Sequence, residues 1–166
     1  MKNYIIKIKQ YIGFLPIGIR LVNWFFQVIL RIDYQCKFSK NFTSRVQCPD
    51  KISFGQYSNS TFKSFALSGG CYIQAFGGIR FGNNTYFGPN VAIVSANHSI
   101  EDLSKFEVKG PIIIGDNCWI GNGVTVTSGV ELGNRTIVAA GAVVTKSFPE
   151  GNCIIGGIPA EIIKYL

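Results

Sequence analysis

The sequence predicts an all-β solenoid built on a period of six residues. Cut in sixes from Ile114, it reads IGDNCW, IGNGVT, VTSGVE, LGNRTI, VAAGAV, VTKSFP. The first position is aliphatic throughout (Ile114, Ile120, Val126, Leu132, Val138, Val144), and the second is small (Gly115, Gly121, Thr127, Gly133, Ala139, Thr145). The same frame recurs upstream as FGNNTY, FGPNVA and IVSANH, beginning at Phe81, Phe87 and Ile93. A period of six matches neither the alternation of a strand nor the 3.6-residue turn of a helix. It describes one short strand plus a corner, with the aliphatic side chain pointing inward and the small residue letting the chain turn. Three such hexads close a triangular coil, and a coil buries its inner face only by stacking on its neighbours.

The elements follow in order. Residues 1–50 form a basic, hydrophobic segment, in which Tyr11 to Leu30 reads YIGFLPIGIRLVNWFFQVIL. Pro16 suits the first turn of a helix, where its missing N–H costs nothing. Beyond it, Arg20, Asn23, Gln27 and Arg31 recur at spacings of three and four on one face, with Trp24, Phe25, Phe26, Val28, Ile29 and Leu30 around the rest. A narrow polar stripe on a wide apolar surface fits a helix lying in a membrane interface through residues 11–31. It also fits a helix packed on the rest of the protein or on a sister subunit. A spanning helix would hold Arg20 near its middle at a cost of about 2.5–3.5 kcal/mol. No small-residue cleavage site follows, which argues against a signal peptide.

Residues 51–166 form the solenoid. A degraded coil is expected over 63–80, where Lys63, Gly69 and Ala75 hold the first position, and a complete one over 81–98. The frame breaks at residues 99–113, SIEDLSKFEVKGPII, and resumes in phase for two full coils over 114–149. The segment from Pro159 to Leu166 is expected to form a short capping helix with proline in its first turn. A loop thrown out of a regular solenoid is a common place for function. The only histidine of the chain, His98, stands at its root, and histidine is the side chain whose unperturbed pKa suits general-base work near neutral pH.

Composition narrows the possibilities. At 166 residues the chain is one domain with an appendage, and 47% apolar content is enough for a core. A single histidine excludes sites built on two or three imidazoles, and five cysteines without a CxxC pair exclude a zinc ribbon, so no metal site is expected. Cys36, Cys48, Cys71, Cys118 and Cys153 fit a reducing compartment, hence a cytoplasmic location. The net charge of +7 lies entirely within residues 1–51, which carry nine Lys/Arg and two Asp; the remainder is balanced at seven of each sign. Such a segment seeks an anionic partner. Its oily neighbours favour an acidic membrane surface, at the cytoplasmic face of the inner membrane, over nucleic acid. Five Asn-x-Ser/Thr sequons, at Asn41, Asn59, Asn83, Asn97 and Asn134, read as by-products of the repeat.

The stretches FGNNTYFGPNVAIVSANHS (81–99), IIIGDNCWIGNGVTVTSGVELG (112–133), IVAAGAVVTKSF (137–148) and GGIPAEIIK (156–164) resemble the hexapeptide-repeat acyltransferases. The resemblance is to the galactoside, maltose and serine acetyltransferases and the sugar O-acetyltransferases of surface glycans. It implies a left-handed parallel β-helix, acetyl-CoA as cosubstrate without a metal, and a homotrimer with active sites at subunit interfaces. It makes His98 the general base for direct acetyl transfer to a sugar or glycan hydroxyl in polysaccharide biosynthesis. It also implies backbone N–H groups for the oxyanion. Glu101 is the candidate carboxylate to orient His98, with Asp102 also near in sequence. Trp119 would line the pantetheine arm; Asn122, Ala140, Thr145 and Lys146 match coenzyme A contacts; Lys164 matches a cation near its phosphates. Glu161 departs from the pattern, since some relatives carry a basic residue there. On the acceptor side Asn97, Ser68 and Gln74 are the candidates. A xenobiotic acetyltransferase or an amino-sugar N-acetyltransferase is the alternative, and a purely structural solenoid the non-enzymatic one.

Overall fold

In the computed structural model, residues 15–166 are described. Residues 11–14 of the expected membrane segment lie outside them. The described residues open with helix α1 (Ile17–Trp24), which begins directly after Pro16 and continues as a wider π-helical turn over Phe25–Ile29. The chain then winds into the coil. Strand β1 (Arg45–Gln47) lies on a first face and β2 (Ile52–Phe54) on a second, and helix α2 (Asn59–Leu67) occupies the place of a strand on the third. The next coil is complete: β3 (Tyr72–Gln74), β4 (Ile79–Phe81) and β5 (Tyr86–Phe87) fall on the three faces in turn. Then β6 (Ala92–Val94) returns to the first face, followed by a hairpin of β7 (Asn97–His98) and β8 (Phe106–Glu107). Strands β9 (Ile112–Ile114), β10 (Trp119–Ile120) and β11 (Thr125–Val126) make the next turn, and β12 (Glu131–Leu132), β13 (Thr136–Val138) and β14 (Val143–Val144) the one after. The chain closes with β15 (Cys153–Gly157) and β16 (Ala160–Tyr165).

Apart from the final strand β16, pairing is parallel within all three faces, in the orders β1-β3-β6-β11-β14, β2-β4-β9-β12 and β5-β10-β13-β15. The register aligns the first positions of the hexads into columns. Val46, Ile73, Ile93, Val126 and Val144 stack on the first face, Phe54, Phe81, Ile114 and Leu132 on the second, and Phe87, Ile120, Val138 and Ile155 on the third. Apart from the partly exposed Phe54, every one is buried. Burying one such side chain is worth roughly 1.5–3 kcal/mol, and here that burial exists only because coils lie on coils. The small second position has a direct cause. A Cβ on Gly121 would stand 2.7 Å from the backbone nitrogen of Ala140, and one on Gly133 would meet the backbone of Pro149 and Gly151 in the next coil.

The structure departs from the sequence reading in three places. Of the degraded coil expected over 63–80, the later part forms β3 and β4, but its first strand is replaced by α2, which covers the end of the stack and sets Phe65 edge-on against Phe81 and Phe87. The aliphatic core residues here are Ile73 and Ile79, with Ala75 also buried and Gly69 partly exposed, because the corner Ala75–Gly78 is wider than a hexad allows and Gly78 takes φ +91°. The coil also starts at Arg45, ahead of the boundary expected at residue 51. The C-terminal capping helix is absent: the chain reverses across Gly157–Pro159, and β16 runs antiparallel along β15. The exposed rim of β15 offers a row of backbone groups, and pairing with them satisfies both edges at once.

The leader is held to the coil by polar contacts. Asn23 and Gln27 turn inward and are buried. Asn23 Nδ2 donates to the Ala66 carbonyl and to Ser39 Oγ, both at 3.1 Å. Gln27 Nε2 donates to the Phe38 carbonyl, and its Oε1 accepts from the Lys40 N–H at 2.9 Å. Lys40 is fully buried, with Nζ 2.8 Å from the Ser44 carbonyl and 3.3 Å from the Asp33 carboxylate, which also pairs with Arg45 and accepts from the Val46 N–H. Burial first, and then the charge of Asp33, push the neighbouring Cys36 thiol up to about 12, while Lys40 pulls the other way; the thiol stays protonated.

Removing one partner of a buried ion pair strands the other charge. Asp33→Asn is therefore expected to lower unfolding free energy by about 3 kcal/mol or more. Lys40→Met in the same chain should recover most of that loss. Urea denaturation midpoints of the single and double variants check both.

Candidate active site

The hairpin β7–β8 leaves the solenoid at the corner between the first and second faces, where the hexad frame breaks. Its pairing sets His98 opposite Phe106, and the two rings lie 4.7 Å apart. Phe106 in turn rests on Phe76, 4.9 Å between centroids. The imidazole is thus backed by an aromatic wall while its edge stays exposed. His98 Nδ1 lies 2.6 Å from the carbonyl oxygen of Leu103. A carbonyl oxygen can only accept, so Nδ1 carries the proton and Nε2 of the neutral ring is left with a lone pair. That is the state a general base needs.

The tip that carries Leu103 is held by Asp102. One carboxylate oxygen accepts from Ser104 Oγ at 2.6 Å and from the Ser104 N–H at 3.0 Å, and the other faces Lys105 Nζ at 3.3 Å. This is an Asx-turn. The Ser104 hydroxyl and N–H, then Lys105, hold the Asp102 carboxyl below the usual carboxylate range. The turn therefore stays formed until the pH falls through that lowered value. Glu101 joins the loop through its backbone N–H, on Ser99 Oγ at 3.3 Å. The partner that orients His98 is the Leu103 carbonyl, and the nearby carboxylate that matters is that of Asp102. The signal for it was in the sequence, as the Asp-x-Ser spacing.

A buried polar knot anchors the root of the hairpin. Gln74 Oε1 accepts from the Ala96 N–H at 3.0 Å, and the Gln74 carbonyl accepts from Ser95 Oγ at 2.8 Å. Ser95 Oγ accepts from the Gly77 N–H, while Ser128 Oγ donates to the Ser95 carbonyl and accepts from the Lys109 N–H. Of the acceptor-side candidates, Gln74 thus stands beneath His98, and Asn97 is exposed next to it. Ser68 is elsewhere: it ends α2, and its hydroxyl donates to the Phe87 carbonyl at 2.9 Å.

The remaining candidates fall on two edges of the prism. Thr145 and Lys146 follow β14, so they occupy the same edge as His98, in a later coil. Lys146 Nζ is bound by both oxygens of Glu161, at 2.6 and 2.7 Å. The residue that departs from the family pattern therefore pairs with one that matches it. Asn122 and Ala140 border the opposite edge of the first face, while Trp119 stands on the third face, on β10. Asn122 and Ala140 stack in successive coils, with the Gly141 N–H donating to the Asn122 carbonyl. Trp119 lies in register with Tyr86, and both rings are about half exposed. Beside them Asn84, Phe87, Gly88, Asn117 and Cys118 line a shallow groove of about 460 Å³. Lys164 is exposed on β16. No group of three or more His, Cys, Asp or Glu among the described residues is placed to hold a metal ion.

A solenoid of six-residue rungs with a histidine-bearing hairpin at one corner defines a hexapeptide-repeat transferase. The profile of the bacterial transferase hexapeptide (six repeats) matches residues 111–146. The chain is 30% identical over 152 residues to WbbJ of Escherichia coli, provisionally named a lipopolysaccharide biosynthesis O-acetyl transferase; the match covers 84% of this chain and 76% of that one. It belongs to this family. Among solved structures it is similar to a maltose O-acetyltransferase from Clostridium difficile 630, with 32% identity and a TM-score of 0.59 over 74% of this chain and 63% of that one. A hexapeptide-repeat acetyltransferase from Vibrio cholerae complexed with acetyl coenzyme A matches at 28% identity and a TM-score of 0.56, over 74% and 68%. Against three other curated relatives the chain spans 43%, 63% and 44% of their length.

The chain has one histidine, so imidazole ¹⁵N spectra report on His98 alone. At a pH where the ring is neutral, the Nδ1–H tautomer should dominate. Asp102→Ala frees the Leu103 carbonyl and should move the ring toward a mixture of tautomers.

Proposed function

We propose that the protein is an acetyl-CoA-dependent O-acetyltransferase acting on a sugar hydroxyl in surface-polysaccharide synthesis, on a coil of the left hand that the family resemblance implies. The observation that carries the reading is the His98 imidazole, its Nδ1–H donated to the Leu103 carbonyl and its Nε2 left as a base on an exposed edge. The relatives named as maltose and lipopolysaccharide O-acetyltransferases support a sugar acceptor. The neighbour complexed with acetyl coenzyme A supports the donor.

In this mechanism Nε2 removes the proton of the acceptor hydroxyl as its oxygen attacks the thioester carbonyl. As the tetrahedral adduct collapses, the C–S bond breaks, and the imidazolium returns its proton to the departing thiolate. Atoms balance without a covalent enzyme intermediate, and the chain's contribution is positioning and proton transfer. The exposed Trp119–Tyr86 surface and its groove offer an apolar bed of the kind a pantetheine arm needs. Lys164 supplies a cation toward the phosphates, while Lys146 is engaged by Glu161. His98, Thr145 and Lys146 stand on one edge of the first face, and Asn122 and Ala140 on the other, with Trp119 beyond them on the third face. A homotrimer would bring one edge of each chain against the other edge of its neighbour, completing the site at the seam.

His98→Ala should bind acetyl-CoA as the wild type does and lose about 10²–10⁴ in kcat. Coenzyme A release across sugar, amino-sugar and chloramphenicol acceptors measures this, and near-full turnover by the variant would overturn the assignment. Glu161→Gln removes the acid that neutralises Lys146; a surface pair of this kind is worth little, so KM for acetyl-CoA should fall by only about two- to fivefold.

A further inference from the structure

Helix α1 is turned inside out. Its polar residues Asn23 and Gln27 face the protein and hydrogen-bond to it, while Ile17, Leu21, Trp24, Phe25, Val28, Ile29 and Leu30 are exposed, each by 44% or more of its surface. With the helix and its π turn this makes a continuous apolar face, and large contiguous patches of that kind mark interaction sites. Beside it Leu21, Trp24 and Val28 share a groove of about 830 Å³ with Arg20, Arg31 and Lys37. All three of these cations are exposed. Asp33, the acid nearest to them in sequence, is already engaged by Lys40 and Arg45.

From this we infer that α1 and its π turn form a peripheral docking surface for an anionic phospholipid bilayer, independent of the acetyl-transfer reading. The apolar side chains enter the headgroup boundary, and Arg20, Arg31 and Lys37 sit at its level against lipid phosphates. Charge decides the occupant. A second copy of this chain laid on the same face would bring those three cations against their own counterparts, whereas an anionic membrane neutralises them. Length decides the mode. α1 and the π turn together hold eight and five residues, about 20 Å of helix against a hydrocarbon core of about 30 Å. No helix among the described residues is long and apolar enough to cross a membrane.

The test is co-sedimentation of the full chain with phosphatidylcholine vesicles, with and without phosphatidylglycerol. The wild type should sediment with the anionic vesicles and hardly with the neutral ones. Leu21→Asp with Val28→Asp should weaken binding by about 100-fold. Arg20→Gln, Arg31→Gln and Lys37→Gln should each weaken it by about fivefold and reduce its salt dependence. Thermal melts establish that each variant is folded, and light scattering without lipid reports oligomeric mass. A wild type that stays in the supernatant, equal binding to neutral vesicles, or wild-type binding by the aspartate variant would each overturn the proposal. So would a drop in oligomeric mass in the aspartate variant, which would make this face a contact between subunits.

Discussion

Everything in this protein depends on one constraint: no coil can remove its inner side chain from water unless another coil lies over it. A single six-residue rung has an inside of one aliphatic residue, which cannot offset the conformational entropy of ordering the rest. Stacked in register, Val46 through Val144 and Ile120 through Ile155 become continuous columns. The corners lie outside those columns. They can therefore lengthen without disturbing the core, as the wide turn at Ala75–Gly78 and the whole hairpin after Val94 show. His98 is placed where the fold tolerates an insertion, and the polar knot of Gln74, Ser95 and Ser128 turns a tolerated loop into a fixed one.

That geometry explains what was legible in the sequence. From Phe81 onward each hexad states its own orientation, because the requirement at every rung is the same: aliphatic inside, small at the turn. The break at residue 99 was equally plain, since only an insertion shifts a frame and then restores it. Upstream, the requirement itself changes. The end of the stack faces no further coil, so α2 meets it with Phe65, whose spacing follows helix geometry rather than the hexad. At the other end the isoleucine-rich tail obeyed neither pattern. Its conformation follows from the unpaired rim of β15, a tertiary demand that local propensity does not register.

At the site, residue identity was legible but partnership was not. His98 announced itself by being unique and by standing at the break. Its orienting partner is a backbone carbonyl, and any residue has one; what makes Leu103 the partner is the turn that Asp102 draws tight with Ser104. Gln74, a candidate acceptor contact, braces the Ala96 amide through its side-chain oxygen. The leader shows the same gap. Its stripe was readable as amphipathic, but not which side faces the protein. The deciding facts are distant acceptors, the carbonyls of Ala66 and Phe38, which an apolar face turned inward would leave buried without a partner.

The reversal from β15 into β16 also sets the polarity of the edge that this face presents. A parallel solenoid ends on an edge of the same polarity as its beginning, which is a template for the first rung of another molecule. By folding its last strand back, the chain presents on this face an outermost edge that runs the other way, along which an incoming coil cannot continue the parallel ladder. Helix α2 covers the opposite end of the same face, where there is no strand to extend. The repeat is thus open-ended in its logic and closed in its polarity, and this prism does not grow into a fibre along that face.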